Sequence, residues 1–146
     1  MANWVENELT VTGPRNDQEA FLTSAVGSNA EGAVIPISFA SLLPIPDGED
    51  DPIKWAWDHW GTKADVWEWI GLERLPESFI ACFATAWAAP TTLFETVSRQ
   101  YLKLTLHLKY QDEDGGFFGR ATIKNGEVQI DDSSIHDLDD SESPSI

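Results

Sequence analysis

The 146-residue chain reads as an α+β domain built on a split βαβ sheet. Three observations predict this class. Leu102, Leu104, Leu106, Leu108 and Tyr110 alternate without a break with Lys103, Thr105, His107 and Lys109, the pattern of a strand with one wet face. Phe79, Ala81 and Phe83 alternate with Ile80, Cys82 and Ala84, so a second strand is apolar on both faces and belongs in the interior of a sheet. Two helix-period stretches separate the strand-like segments, in the order strand–helix–strand, insertion, strand–helix–strand, hairpin.

The first strand is read from Val5, Asn7, Leu9 and Val11, opposite Glu6, Glu8, Thr10 and Thr12. Gly13-Pro14 ends it, and Asn16 is expected as the N-cap of a helix, with Asp17 and Glu19 near the positive end of the helix dipole. Phe21, Leu22, Ala25 and Val26 form the apolar stripe, and Gly27 suits the C-cap region. Val34 to Leu43 reads as a second strand broken by Pro36, followed by a turn over Pro44 to Gly48. Pro52 suits the first turn of a short helix carrying Ile53, Trp57 and Trp60 on one side, stopped by Gly61. Val66 to Ile70 look extended, with Trp67 and Trp69 on one face. Residues 43–77 are therefore expected as an insertion between the second and third strands.

Phe79 to Trp87 is the third strand, and Pro90 opens a long second helix with Leu93, Phe94, Val97 and Tyr101 on its stripe. After the alternating strand come a turn at Asp112 to Gly116, a strand over Phe117 to Lys124, a type I′ turn at Asn125-Gly126 and a return strand over Glu127 to Ile130. Two strand–helix–strand units in this order give a ferredoxin-like sheet with its helices on one face. The domain is expected to span 1–130, and the acidic, base-free residues 131–146 to be a disordered tail.

The net charge is −16; the tail holds six of the 25 acids and no Lys or Arg, so the rest of the chain still carries −10. Such a chain repels phosphate backbones and anionic lipid surfaces, so neither direct nucleic-acid binding nor a membrane partner is expected. No apolar run reaches the roughly 18 residues of a membrane helix, and no basic-then-apolar leader is present. Cys82 is the only cysteine, which fits a reducing cytoplasm and gives neither a disulfide nor a multi-cysteine zinc site.

Motifs with chemical meaning are weak. Gly61-Thr62-Lys63 matches the end of a phosphate-binding loop, but Ala56 stands where the loop needs glycine; Lys63 is expected to pair with Asp58 or Asp65. Asp47, Glu49, Asp51 and Asp58 fall at calcium-loop offsets, but Pro52 occupies the glycine position. His59, His107 and His136 are scattered, with His59 near Asp58 and Asp65 the one acid–base candidate. Cys82 reads as a packed core thiol. The seven tryptophans exceed ordinary core needs; Trp55 and Trp57 cannot share a helix face, so some of the seven should be exposed or line a cleft, the rest forming a small core under the open sheet face. No cofactor or metal is expected.

Several segments carry a family resemblance: Asn3-Trp4, Glu6-Asn7 and Leu9 to Gly13 at the start, Leu43-Pro44-Ile45-Pro46, Trp60-Gly61-Thr62-Lys63 and Phe83-Ala84-Thr85-Ala86-Trp87. Ser98-Arg99-Gln100-Tyr101 and Gly116-Phe117-Phe118-Gly119 continue it. Together they resemble the YubB ferredoxin-like domain family over most of residues 3–128, with the acidic tail outside. The resemblance implies a ferredoxin-like fold in proteins carried by plasmids, phages and prophages, and it brings no defined activity and no catalytic residues. Val5 stands where that family often has Cys, and Ala64 where it often has Trp.

The function expected is that of a non-enzymatic, mobile-element accessory protein in the cytoplasm of a bacterial host. It would occupy a host protein with a basic surface, a defence or nucleic-acid-handling factor, through acids and exposed Trp side chains, with duplex mimicry as one mode. The alternative is a small-ligand domain for a nucleotide-like molecule. The candidate ligand- or partner-binding residues are Trp60, Thr62, Lys63, Asp65, Thr85, Trp87 and Arg120. Composition leaves the oligomeric state open.

Overall fold

The computed structural model describes residues 4–29 and 32–135. The chain opens with β1 (Trp4–Thr12) and α1 (Arg15–Ala25). Two short strands, β2 (Gly27–Ser28) and β3 (Val34–Ile35), pair with each other apart from the main sheet. Two short helices follow, α2 (Phe39–Leu42) and α3 (Pro52–His59). Then come β4 (Glu68–Arg74), β5 (Ser78–Ala86), α4 (Thr91–Ser98), β6 (Thr105–Asp112), β7 (Phe117–Lys124) and β8 (Glu127–Ile135).

The six long strands form one antiparallel sheet in the order β4-β5-β1-β6-β7-β8. β5 lies between β1 and β4, and β1 lies between β5 and β6. The units β1-α1-β4 and β5-α4-β6 are therefore two interleaved split βαβ motifs, which is the ferredoxin-like arrangement. The hairpin β7–β8 widens the sheet beyond β6. Its turn is the expected one: Asn125 and Gly126 sit at φ of 52° and 80°, the pair of positive values that type I′ requires.

The second strand differs from expectation. It is β4, and residues 34–43 supply only the two-residue β3 and the helix α2. Pro36 withholds a backbone donor, and the Asp65 carboxylate then accepts from Phe39 N (2.7 Å), Ala40 N (3.0 Å) and Ser38 Oγ (2.9 Å). A carboxylate that satisfies the free amides at a helix start favours a turn of helix over an extended chain. The extra residues accordingly lie between α1 and β4, not between the second and third sheet strands. β4 passes to β5 through Leu75 to Glu77, where Leu75 N donates to Ser78 O.

Smaller boundaries also move. Asn16 is inside the first turn of α1, because Pro14 provides the carbonyl that accepts from Asp17 and Gln18. Gly27 lies beyond the C-cap, which is Val26. The second helix is short, and Tyr101 packs on Phe21 from beyond its end. β6 starts at Thr105, which leaves Leu102 exposed. β8 runs to Ile135, past the expected domain end at 130; the rest of the acidic tail lies outside the described residues.

The helices sit on one face of the sheet, with α1 against β5 and α4 against β6 and β7. Between the layers lie Leu9, Val11, Phe21, Phe39, Phe79, Phe83, Phe94, Leu106 and Ile123, all essentially inaccessible. Burying side chains of this size contributes about 1.5–3 kcal/mol each. Phe39 stands at the centre, its ring edge-on to Trp60, Phe83 and Phe94. The insertion therefore folds onto the helix side and joins the main core, where Trp55 and Trp60 pack against one another; the tryptophan core expected under the open face does not form. Both outermost strands carry a bulge, at Trp69/Gly71 on β4 and opposite Arg120/Ala121 on β8.

Candidate functional site

Of the seven candidate residues, four are committed to the architecture, with Trp60, Thr62 and Thr85 buried and Asp65 half-buried. Trp60 donates its indole N–H to Leu43 O (2.9 Å). Thr62 donates its hydroxyl to Ala86 O (2.6 Å), and Thr85 donates to Ala88 O (2.7 Å) while accepting from Asn7 Nδ2 (3.0 Å). Asp65 is the cap of α2. Lys63 and Trp87 are brought together: the ammonium lies 5.4 Å from the indole centroid, within cation–π range. Lys63 is thus not paired with Asp58, which binds Lys54 (2.8 Å), nor with Asp65. Trp87 holds φ = 73°, an uncommon value for a large residue. The bonds from Thr62, Thr85 and Ala88 around it fix the loop.

Arg120 does not join this group. It is on β7, in register with Lys109, and faces the side of the sheet opposite Thr85. His59 also leaves its expected partners: it stacks on Trp55 and its Nδ1 lies 2.9 Å from Trp55 O. The acids at calcium-loop offsets are occupied locally, Asp51 accepting from Lys54 N and Glu49 from Asp51 N.

The sheet face away from the helices is left uncovered, and its residues follow from strand alternation. β1 contributes Trp4, Glu6, Glu8 and Thr10; β5 contributes Ile80 and Cys82; β6 contributes His107, Lys109 and Gln111; β7 contributes Phe118, Arg120 and Thr122. Trp4 stacks on Trp67 at one end of this face, with centroids 4.6 Å apart and planes 12° apart. Trp67 is 55% exposed, and Glu68 follows it in register with Ala84. Trp67 and Trp69 do not share a face: Trp69 stacks on Phe83 on the core side, because Trp67 precedes the strand and follows no alternation. On α3, Trp57 points outward with Ile53 while Trp55 packs inward, so the expected apolar side of Ile53 and Trp57 is the exposed one.

Beside the stacked pair lies a cleft of about 630 Å³, lined by Glu6, Glu8, Ile70, Cys82, Lys109, Gln111, Phe118 and Arg120. Cys82 is half-buried in its floor and not in the core. Burial, then the charges of Glu8 and Glu73, push its thiol pKa up, so it is a poor nucleophile at neutral pH. Apart from Arg120, sequence reasoning left these cleft residues out of the candidate site. The signal for them was the polar side of the two alternating strands, Glu6 and Glu8 against His107 and Lys109.

Fold and surface together define a ferredoxin-like α+β domain with one helix-covered face and one open, charged face. Residues 57–143 match the family described as the ferredoxin-like domain in Api92-like protein, and the chain belongs to that family. The matched stretch runs from α3 past β8 to Ser143, so it takes in most of the acidic tail that the sequence resemblance had left outside. Among curated proteins and among solved structures, nothing matches the chain. No helix of the described residues is long and apolar enough to cross a membrane.

Proposed function

We propose that this protein is a non-enzymatic binding protein that engages a basic protein surface through the Trp4–Trp67 end of its open sheet face. The observation that carries this reading is the stacked Trp pair itself, half out in solvent, with Glu6 and Glu68 beside it. Exposed Trp side chains are natural interface anchors. Neighbouring carboxylates steer a basic partner and set register without adding much affinity. The net charge of −16 extends that steering over the whole molecule. The resemblance to the YubB family, with its plasmid and phage setting, supports a host protein as the partner, a defence or nucleic-acid-handling factor.

The test is affinity capture from bacterial lysate, followed by titration of the recovered partner against the full-length protein and Trp67→Ala. The substitution should weaken binding roughly thirtyfold, the size of a hot-spot residue. Affinity should also fall as salt is raised. Binding insensitive to both changes would rule this surface out.

A further inference from the structure

The cleft beside the tryptophans carries a different arrangement of charge. Strand register sets two rows across it, Cys82–Glu8–Lys109–Arg120 and Ala84–Glu6–Gln111–Phe118. Ile70 of β4 forms the side beyond Cys82. Opposite charges directly across two strands ordinarily pair. Glu8 and Lys109 are Cα partners of this kind, yet neither side chain makes an ion pair or hydrogen bond with any other described residue. One negative and one positive group therefore stand unpaired, about one strand spacing apart, in a concave site with apolar surface at both ends.

The two signs limit what can bind. A ligand that is only anionic meets Glu6 and Glu8, and one that is only cationic meets Lys109 and Arg120. A molecule carrying both charges places each against its opposite. The cleft volume lies within the range of ligand pockets and has room for roughly two or three amino-acid residues. We propose that this cleft binds a short zwitterionic peptide with free ends. Its ammonium lies against Glu6 and Glu8, its carboxylate against Lys109 and Arg120, and its apolar body on Ile70, Cys82 and Phe118. This inference does not depend on the partner reading, which uses the tryptophan end of the face.

The experiment titrates the full-length, ¹⁵N-labelled protein with the tripeptide Ala-Phe-Ala and with its N-acetylated and C-amidated forms. The free tripeptide should shift the amides of Glu8, Lys109 and Gly119, and blocking either end should weaken binding roughly tenfold. Glu8→Gln should reduce the effect of acetylation, and Lys109→Gln that of amidation, with amide positions outside the cleft unchanged. Trp67→Ala should leave tripeptide binding intact. The proposal is overturned if free and blocked peptides bind alike, or if millimolar tripeptide leaves the cleft amides in place. It is also overturned if Trp67→Ala abolishes the response, which would assign the peptide to the tryptophan end.

Discussion

The two faces of the six-stranded sheet come from the same strands and share almost nothing else. On the covered face, Leu9, Val11, Phe83, Leu106 and Ile123 are inaccessible and bear on aromatic rings of the helix layer. On the open face, one residue along in each strand, stand Glu6, Glu8, Cys82, His107, Lys109 and Arg120. The covered face is fixed by close packing, where loss of a few methylenes leaves a void. The open face is fixed only by strand register, so its residues can be exchanged without disturbing what lies beneath. Stability and recognition are thus separated by the alternation of a single backbone, and substitutions can address one without the other.

The largest test of that separation is Phe83→Ala. Phe83 is inaccessible and touches both Phe39 and Trp69, so its loss should cost about 3–5 kcal/mol in denaturant unfolding. Glu8→Gln and Lys109→Gln should each stay within about 0.5 kcal/mol of the parent. Comparable losses on both faces would break the comparison. Next in size is Thr62→Val, which leaves the Ala86 carbonyl without its hydroxyl donor in a buried setting. It should lower stability by about 1–3 kcal/mol while partner binding by the folded protein is retained, marking Thr62 as architectural.

Gly119→Ala probes the point where the faces meet. A Cβ there would run into the ring of Tyr110, its cross-strand partner, which is too stiff to yield without a shift. The cost should be about 1–3 kcal/mol, and less than additive with Tyr110→Ala. The smallest effect concerns Cys82. Its folded pKa is raised above the ordinary 9.0, first by burial and then by Glu8 and Glu73. Its contribution to stability is therefore present below the unfolded value and is lost as pH rises through the folded one. Iodoacetamide should modify Cys82 more slowly than free cysteine at mildly alkaline pH, and Glu8→Gln or Glu73→Gln should speed the reaction.

Much of this fold was legible from residue order. β1, β5, β6 and the Asn125-Gly126 turn announce themselves because alternation and turn chemistry are local. β4 was seen only as an extended stretch, since it is an edge strand whose period is broken at Trp69/Gly71. α2 was misread as strand because its cap, Asp65, lies 26 residues from Phe39. The candidate site was less legible. Lys63 and Trp87 do meet, but Glu8 opposite Lys109 is a pairing across more than a hundred residues, and no local pattern encodes it.

The bulges on the two outermost strands bear on how this protein behaves when crowded. A sheet ends in a row of open backbone donors and acceptors, which is a template for adding another chain. An extra residue breaks the regular spacing of that row and twists it away from a flat neighbour. With β4 and β8 each interrupted, neither margin offers an uninterrupted ladder for stacking copies edge to edge. A protein made at high level can in this way keep its recognition face open while its flanks decline to polymerise.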